Sequence, residues 1–452
     1  MVGQVHTGQV HTGHVHIGHV HIIGAGLAGL AAAVRFASQG HCVSVYESAP
    51  QAGGRCRSYH DPALDMEIDN GNHLVLSGNS AAMGYLDVIG ARGKLTGPDT
   101  ASFPFIDLAT NERWTLRANE GTIPWWMLSS SRRVPGTSLS DYLGLLPLLR
   151  APEGATIGDV YPCRGVLYER LIGPLLLAAL NTEPPLGSAR LAASVIRETL
   201  MKGGHAYHPL IAHEGLAAAF VAPALEFIKA HGGSITFNKR LRALEFGGNR
   251  VAALDFGDTD VALDRDDPVI LAVPPVVASS LVPQLRAPTE FRAIVNAHFK
   301  LPVPASVPRM TGVVNGTVEW LFAFPDRLSV TISAADRLLD TPREELAATI
   351  WADVVRISGV APEMPPWQIV RERRATFAAL PQQNALRPGT RTSWHNLALA
   401  GDWIATGLPG TIEGAIRSGI RAADAFLGAP GLKPYKNSIF DIFGGPAPVG
   451  FN

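Results

Sequence analysis

Residues 19–47 read HVHIIGAGLAGLAAAVRFASQGHCVSVYE, and this stretch decides the fold. Apolar and β-branched residues at 20–23 run into Gly24-Ala25-Gly26-Leu27-Ala28-Gly29. A small-residue helix is predicted from there to about Gln39, stopped by Gly40, and a second strand over 42–46 ends at Glu47. This is a βαβ unit carrying a dinucleotide fingerprint. Gly24 allows the tight turn. Gly26 lets the backbone approach a pyrophosphate at the helix N-terminus, which Leu27 and Ala28 begin, and Gly29 lets the helix lie close on the sheet. Glu47 falls 23 residues after Gly24, where a carboxylate can accept the ribose hydroxyls. A helix rich in Ala and Gly only for close packing would leave Glu47 unexplained.

Upstream, QVHTG at 4–8 recurs at 9–13, becomes HVHIG at 14–18 and then HVHII at 19–23. Six of the fifteen histidines lie in this run. It has neither the basic start nor the apolar centre of a signal peptide. The first strand copied forward, dangling as a disordered arm over 1–18, accounts for it, although a His-rich tract can also bind metal. The whole chain, at 452 residues, is too long for one ordinary core, so two or three domains are expected. A net charge of -1 with no basic stripe argues against nucleic acid. Cys42, Cys56 and Cys163 are odd in number and far apart, which predicts neither a disulfide framework nor a metal site and suits a reducing compartment. The apolar runs, such as 268–285, are broken by prolines, so no membrane span is predicted.

Downstream, APQAGGRCRSY carries Gly53-Gly54-Arg55 soon after Glu47. A second glycine-rich turn lets backbone N–H groups reach phosphate, and arginine adds a fixed cationic fork. Far along the chain, NLALAGDWIATGLPGTIEGAIRSG reads as a strand over 397–400, then Gly401-Asp402, then a helix from about Thr411 and Ile412. Residues 232–275 read as β-hairpins followed by a buried strand over 269–273. Glu47 followed by Gly53-Gly54-Arg55 resembles the flavin amine oxidase and phytoene desaturase superfamily. That resemblance implies non-covalent FAD, with Gly53, Gly54 and Arg55 around the diphosphate. It further implies Gly401 and Asp402 at the ribityl or phosphate part, the 411–412 helix start aimed at the flavin, and the backbone near Leu241 at the adenine.

Taken together, GGRCRSY, IDNGNHLVLSGN (68–79), LNTEPPLGSARL (180–191) and TGLPGTIEGAIRSG resemble more narrowly the hydroxysqualene dehydroxylase family, the squalene-associated FAD-dependent desaturases of bacterial hopanoid synthesis. The resemblance spans about 19 to 430. It implies that Asp69-Asn70-Gly71-Asn72 turns beside the flavin and that His73 sits at the floor of a substrate tunnel. A histidine there can protonate a leaving group or orient a water; bonding to backbone is the alternative. Glu183 and His205 are weaker acid candidates, and Glu183 before Pro184-Pro185 can serve simply as a turn. The implied reaction removes the hydroxyl of hydroxysqualene reductively, with hydride from reduced flavin N5 to an allylic carbon, to give squalene. A carotenoid-type desaturase and a flavin amine oxidase are alternatives, but Pro409-Gly410-Thr411 stands where an amine oxidase carries an aromatic. A non-catalytic FAD-binding escort is a further class.

The expected fold class is α/β (α+β): a Rossmann-like FAD-binding domain with an inserted substrate-binding domain. The FAD domain is expected to be discontinuous, over 19–95, 206–275 and 391–430. The substrate domain takes 96–205 and 276–390, where polar punctuation is sparse enough for a long apolar cavity, and 431–452 is a tail. An isoprenoid lipid substrate without a membrane span implies monotopic contact with the inner face of the cell membrane by a cytoplasmic protein. The apolar stretches 124–127 and 143–149 are the candidate contacts. No second glycine fingerprint is visible for a nicotinamide cofactor, so an external electron donor is expected.

Overall fold

In the computed structural model, residues 17–428 are described. The expected arm at 1–18 lies outside them save for its last two positions, and the tail at 431–452 lies outside them entirely. Five parallel strands form the first sheet, in the order Ser234–Thr236, Val43–Tyr46, Val20–Ile23, Val269–Leu271 and Leu397–Leu399. Parallel strands covered on both faces must be apolar throughout, and Val20, Ile22, Val43, Val45, Ile270 and Leu399 are all buried. Helices Leu27–Ala37, Ala222–Ala230 and Ile412–Leu427 pack on one face. On the other lies a three-stranded antiparallel sheet, Ala243–Gly247, Arg250–Asp255 and Asp260–Ala262, whose Leu244 and Leu254 meet Val269, Leu271 and Leu397. The two outer helices cross so tightly that a Cβ on Gly419 would stand 2.0 Å from the Ala28 carbonyl oxygen.

The second sheet has seven strands, in the order Trp367–Phe377, Phe291–Lys300, Arg327–Ile332, Trp320–Phe324, Met310–Val314, Ser102–Asp107 and Arg113–Arg117. All pairs are antiparallel except Met310–Val314 with Ser102–Asp107. Side chains alternate across a strand. Val295, Ala297, Phe299, Leu321, Leu328 and Val330 therefore pack together beneath helix Arg343–Ser358, against its Leu346, Ile350 and Val354. Their neighbours in sequence point the other way. Trp320, Phe322, Phe324, Met310 and Phe105 join a core with the short helices between 139 and 196. The buried polar residues Asn296, His298 and Ser329, together with Thr331, share that second face. It is this face that the 69–73 segment meets.

Candidate active site

The first and third glycines of the fingerprint are steric necessities. Gly24 has φ 101°, and a Cβ on it would meet the Ala272 carbonyl oxygen at 2.5 Å; on Gly29 it would meet the Gly24 carbonyl oxygen at 1.9 Å. Gly26 differs, since nothing lies within 4 Å of an added Cβ. The chain thus leaves open space at the N-terminus of helix Leu27–Ala37, where no side chain caps the first turn and the helix dipole favours an anion. The second glycine turn closes on the same place. Gly53 donates its N–H to Ala25 O at 2.8 Å, and a Cβ on Gly54, which has φ 56°, would come within 3.4 Å of Gly26 Cα. Glu47 accepts from Ala25 N at 2.7 Å and Ala49 N at 2.8 Å, which fixes the loop and leaves lone pairs for a ribose. Beside it, Lys239 N donates to Glu47 O at 2.8 Å, so the segment leading to buried Leu241 runs along this edge. These features fit a dinucleotide diphosphate.

Arg55 and Asp402 are brought together as a bidentate pair, at 2.8 Å and 2.6 Å, and Arg55 also donates to Ala375 O. Asp402 is buried, while the Arg55 side chain keeps 43 % of its surface and so faces open space. Asp402 is placed by its loop: Gly401 N donates to Ser418 Oγ at 2.8 Å, and Trp403 Nε1 to Val273 O at 3.0 Å. Arg387 reaches the carbonyls of Asp402, Trp403 and Ile404 from beneath. Burial, partly offset by Asp402, pushes the Arg387 guanidinium down to about 10. Thr411 caps helix Ile412–Leu427, accepting from Gly414 N at 3.0 Å, with Ile412 buried behind it. Glu413 points away from this end and anchors another helix, Ser80–Val88, through the N–H groups of Ala81 and Ala82.

The Asp69-Asn70-Gly71-Asn72 stretch bends, but no residue in it has positive φ, so tolerance of that conformation is not what selects it. Contact selects it instead. A Cβ on Gly71 would come within 3.0 Å of Asn296 Nδ2. Asn70 donates to Glu372 at 3.3 Å, and Asn72 donates to Val330 O and Thr331 Oγ1, both at 3.2 Å. Asn296 accepts from Asn72 N and from Thr331 Oγ1. Asp69 turns back to Ser58 and to Leu216 N. The bend is thus pinned to the polar end of the second sheet. His73 follows it and makes no hydrogen bond to any described residue. Burial, then the Arg55 cation, pushes its pKa down to about 4, so the ring is neutral at pH 7. A neutral imidazole offers one N–H and one acceptor, which suits holding a hydroxyl.

Glu183 is exposed, and its backbone carbonyl closes the Pro184–Leu186 turn by accepting from Leu186 N at 3.0 Å. His205 is exposed, with Nδ1 2.8 Å from Glu120 O. Close enough to Glu183 to feel its charge is a carboxyl that sequence reasoning missed. Glu319 precedes strand Trp320–Phe324 and accepts from Ser333 N at 2.8 Å. Burial pushes its pKa up to about 7; Ser333 and Arg337 oppose that, and the charge of Glu183 adds to it. Nothing in the sequence around 319 marks it. Among the described residues no group of three or more metal-capable side chains occurs.

Residues 27–427 match the family model described as flavin containing amine oxidoreductase. The hydroxysqualene dehydroxylase of Rhodopseudomonas palustris is 58 % identical over 408 residues, which cover 90 % of this chain and 98 % of that one. That of Sinorhizobium fredii is 54 % identical, over 90 % of this chain and 97 % of that one. Among solved structures, cyclohexylamine oxidase from Brevibacterium oxydans superposes with a TM-score of 0.66 at 18 % identity, covering 91 % of this chain and 99 % of that one, a likeness of fold.

Proposed function

The chain belongs to the flavin-containing amine oxidoreductase family, and from that premise we propose that it is an FAD-dependent hydroxysqualene dehydroxylase making squalene. The observation that carries this reading is the shared name of two relatives more than half identical over nine-tenths of the chain. The residues fit FAD: Gly24, Gly26, Leu27, Ala28, Gly29, Gly53, Gly54 and Arg55 would hold the diphosphate, Glu47 the ribose, and the backbone near Leu241 the adenine. Gly401, Asp402, Thr411 and Ile412 would hold the ribityl side, with Asn70, Gly71 and Asn72 beside the ring. The parallel-sheet unit (19–95, 206–275, 391–430) is then the FAD domain, and 96–205 with 276–390 the substrate domain.

Reduced FAD supplies a hydride when bound. The net change exchanges a C–O bond for a C–H bond, and the hydroxyl leaves as water, so the chain must give a proton to the departing oxygen. His73, neutral and with no hydrogen-bond partner among the described residues, would orient that hydroxyl. Glu319, whose pKa burial raises to about 7 with the charge of Glu183 adding, is protonated in a substantial fraction of molecules near neutral pH and is the proposed donor. The apolar face of Trp320, Phe322 and Phe324 excludes water from an allylic cation-like carbon. No helix among the described residues is long and apolar enough to cross a membrane, so a lipid substrate points to one-sided contact with the inner face of the cell membrane. Electrons then come from an external donor. The test is to reduce the protein anaerobically and add hydroxysqualene. Squalene should form as the flavin absorbance returns. Bleaching of the oxidised protein by phytoene, with hydroxysqualene untouched, would instead favour a carotenoid-type desaturase.

A further inference from the structure

Of the twelve exposed large apolar side chains among the described residues, six lie within 123–146: Ile123, Trp125, Leu128, Leu139, Leu143 and Leu146, each between 37 % and 61 % exposed. Their orientation is fixed from within. Trp125–Leu128 is a 3₁₀ turn, so its first and last residues share a face. Leu139 and Leu143 share a face of the next helix at i,i+4. The inner face of both elements is taken by Trp126 and Tyr142, whose rings meet edge to face at 5.4 Å. Asn119 Oδ1 holds Trp126 N at 3.1 Å, and the Tyr142 hydroxyl accepts from Val134 N at 3.2 Å. Turning the outer residues inward would break these contacts. The stretches 124–127 and 143–149 are thus each split: Trp126, Leu145, Leu148 and Leu149 are core, Met127 packs against it, and Trp125, Leu143 and Leu146 face out.

We propose that this face docks on an anionic lipid bilayer, with Trp125, Leu128, Leu143 and Leu146 entering the headgroup–acyl boundary. Two observations select a bilayer. Residues 123–150 hold three arginines and a single acid, Asp141, whose carboxylate is tied to Ser138 in a helix cap, so the local field suits anionic headgroups. The buried residues beneath, Trp126, Tyr142 and Leu145, belong to the same apolar core as Trp320 and Phe322 of the second sheet, so hydrophobic packing is continuous from the face to the proposed substrate wall. The proposal rests on the lipid-substrate reading for its purpose but is tested without substrate.

The FAD-loaded full chain is centrifuged with vesicles of phosphatidylcholine alone and of phosphatidylcholine with phosphatidylglycerol, neither containing hydroxysqualene. The wild type should sediment with the anionic vesicles and be released by salt. Leu128→Glu with Leu143→Glu should lower the bound fraction by about tenfold or more, and Arg132→Glu, on an exposed rim residue, by several-fold. Met364→Glu, at an apolar residue elsewhere on the surface, should change nothing. Unchanged flavin per chain verifies that each variant is folded. Wild-type protein that stays in the supernatant, or variants that bind as well as it does, overturns the proposal. So does a wild-type dimer in solution that the double variant turns into monomer, because the face would then cover a second copy. Turnover of detergent-dispersed hydroxysqualene tests the dehydroxylase reading separately from docking.

Discussion

Replacing Glu319 with glutamine removes a proton that the folded chain holds more tightly than the unfolded one. The carboxyl sits at about 7 against an ordinary 4.5, faced by Ser333, Arg337 and Glu183. A raised pKa of this kind contributes stability that is fully present below 4.5 and is lost as pH rises through about 7. At roughly 1.4 kcal/mol per pH unit, that gap corresponds to about 3 kcal/mol. With an unfolding entropy of about 2.1 cal/mol/K per residue, a chain of this length turns it into roughly 3 °C of Tm. Glutamine keeps the shape and the acceptor for Ser333 N but cannot ionise. Thermal scans of the FAD-loaded wild type and variant from about pH 5 to about pH 9 should therefore diverge by roughly that amount, with the variant relatively more stable at the alkaline end. Other titrating groups are common to both chains and cancel. In turnover, the wild type should lose kcat about tenfold per pH unit above its midpoint, and the variant should be slow and flat over the same range. Parallel thermal curves would refute the buried-proton argument. An alkaline limb that survives in the variant would refute the donor role.

Asp402→Asn leaves Arg55 without its anionic partner. Loss of charge-assisted bonds worth roughly 1.5–3 kcal/mol should raise the FAD dissociation constant about tenfold to hundredfold, and equilibrium dialysis showing full retention would contradict the assignment. His73→Asn should keep FAD and lower kcat by roughly 10²; a change under about tenfold would leave the ring a packing role. Because the His73 pKa is depressed to about 4, the stability it contributes is present above 6.5 and lost as pH falls through 4, so the variant should also be less sensitive to acid. Gly419→Ala drives a methyl to 2.0 Å from Ala28 O and should cost about 1–3 kcal/mol, read as a lower Tm; an unchanged Tm would mean that the helix shifts freely.

The parts of the site legible in sequence are those whose demands are local. Gly24 is required by its own positive φ and Gly29 by the Gly24 carbonyl oxygen, so their spacing is a signature that survives without context, even though distant Ala272 also crowds Gly24. Glu47 belongs to the same unit. Gly401-Asp402 reads well because strand, turn and helix start follow one another. What was hidden depends on register between distant strands. Asn296, Thr331 and Glu372 reach the 69–73 segment only because Phe291–Lys300 pairs with Arg327–Ile332 and Trp367–Phe377. Glu319 acquires its raised pKa from burial after the second sheet assembles. Arg55 and Asp402 were each legible as phosphate- or ribityl-facing groups, yet their mutual pairing across 347 residues was not. The closeness of Gly71 to Asn296 was not legible, because a turn-like composition does not distinguish close approach from conformational freedom.

The central claim is that this chain delivers hydride to the carbon that loses its hydroxyl. The direct measurement is a single turnover of the protein reduced with dithionite in D₂O without oxygen, followed by mass and NMR analysis of the product. The exchangeable hydrogen of reduced flavin is then deuterium. Squalene carrying one deuterium at the carbon that bore the hydroxyl, formed in step with flavin reoxidation, is the predicted result. Squalene without carbon-bound deuterium, or no squalene from a fully reduced and folded protein, would contradict the account.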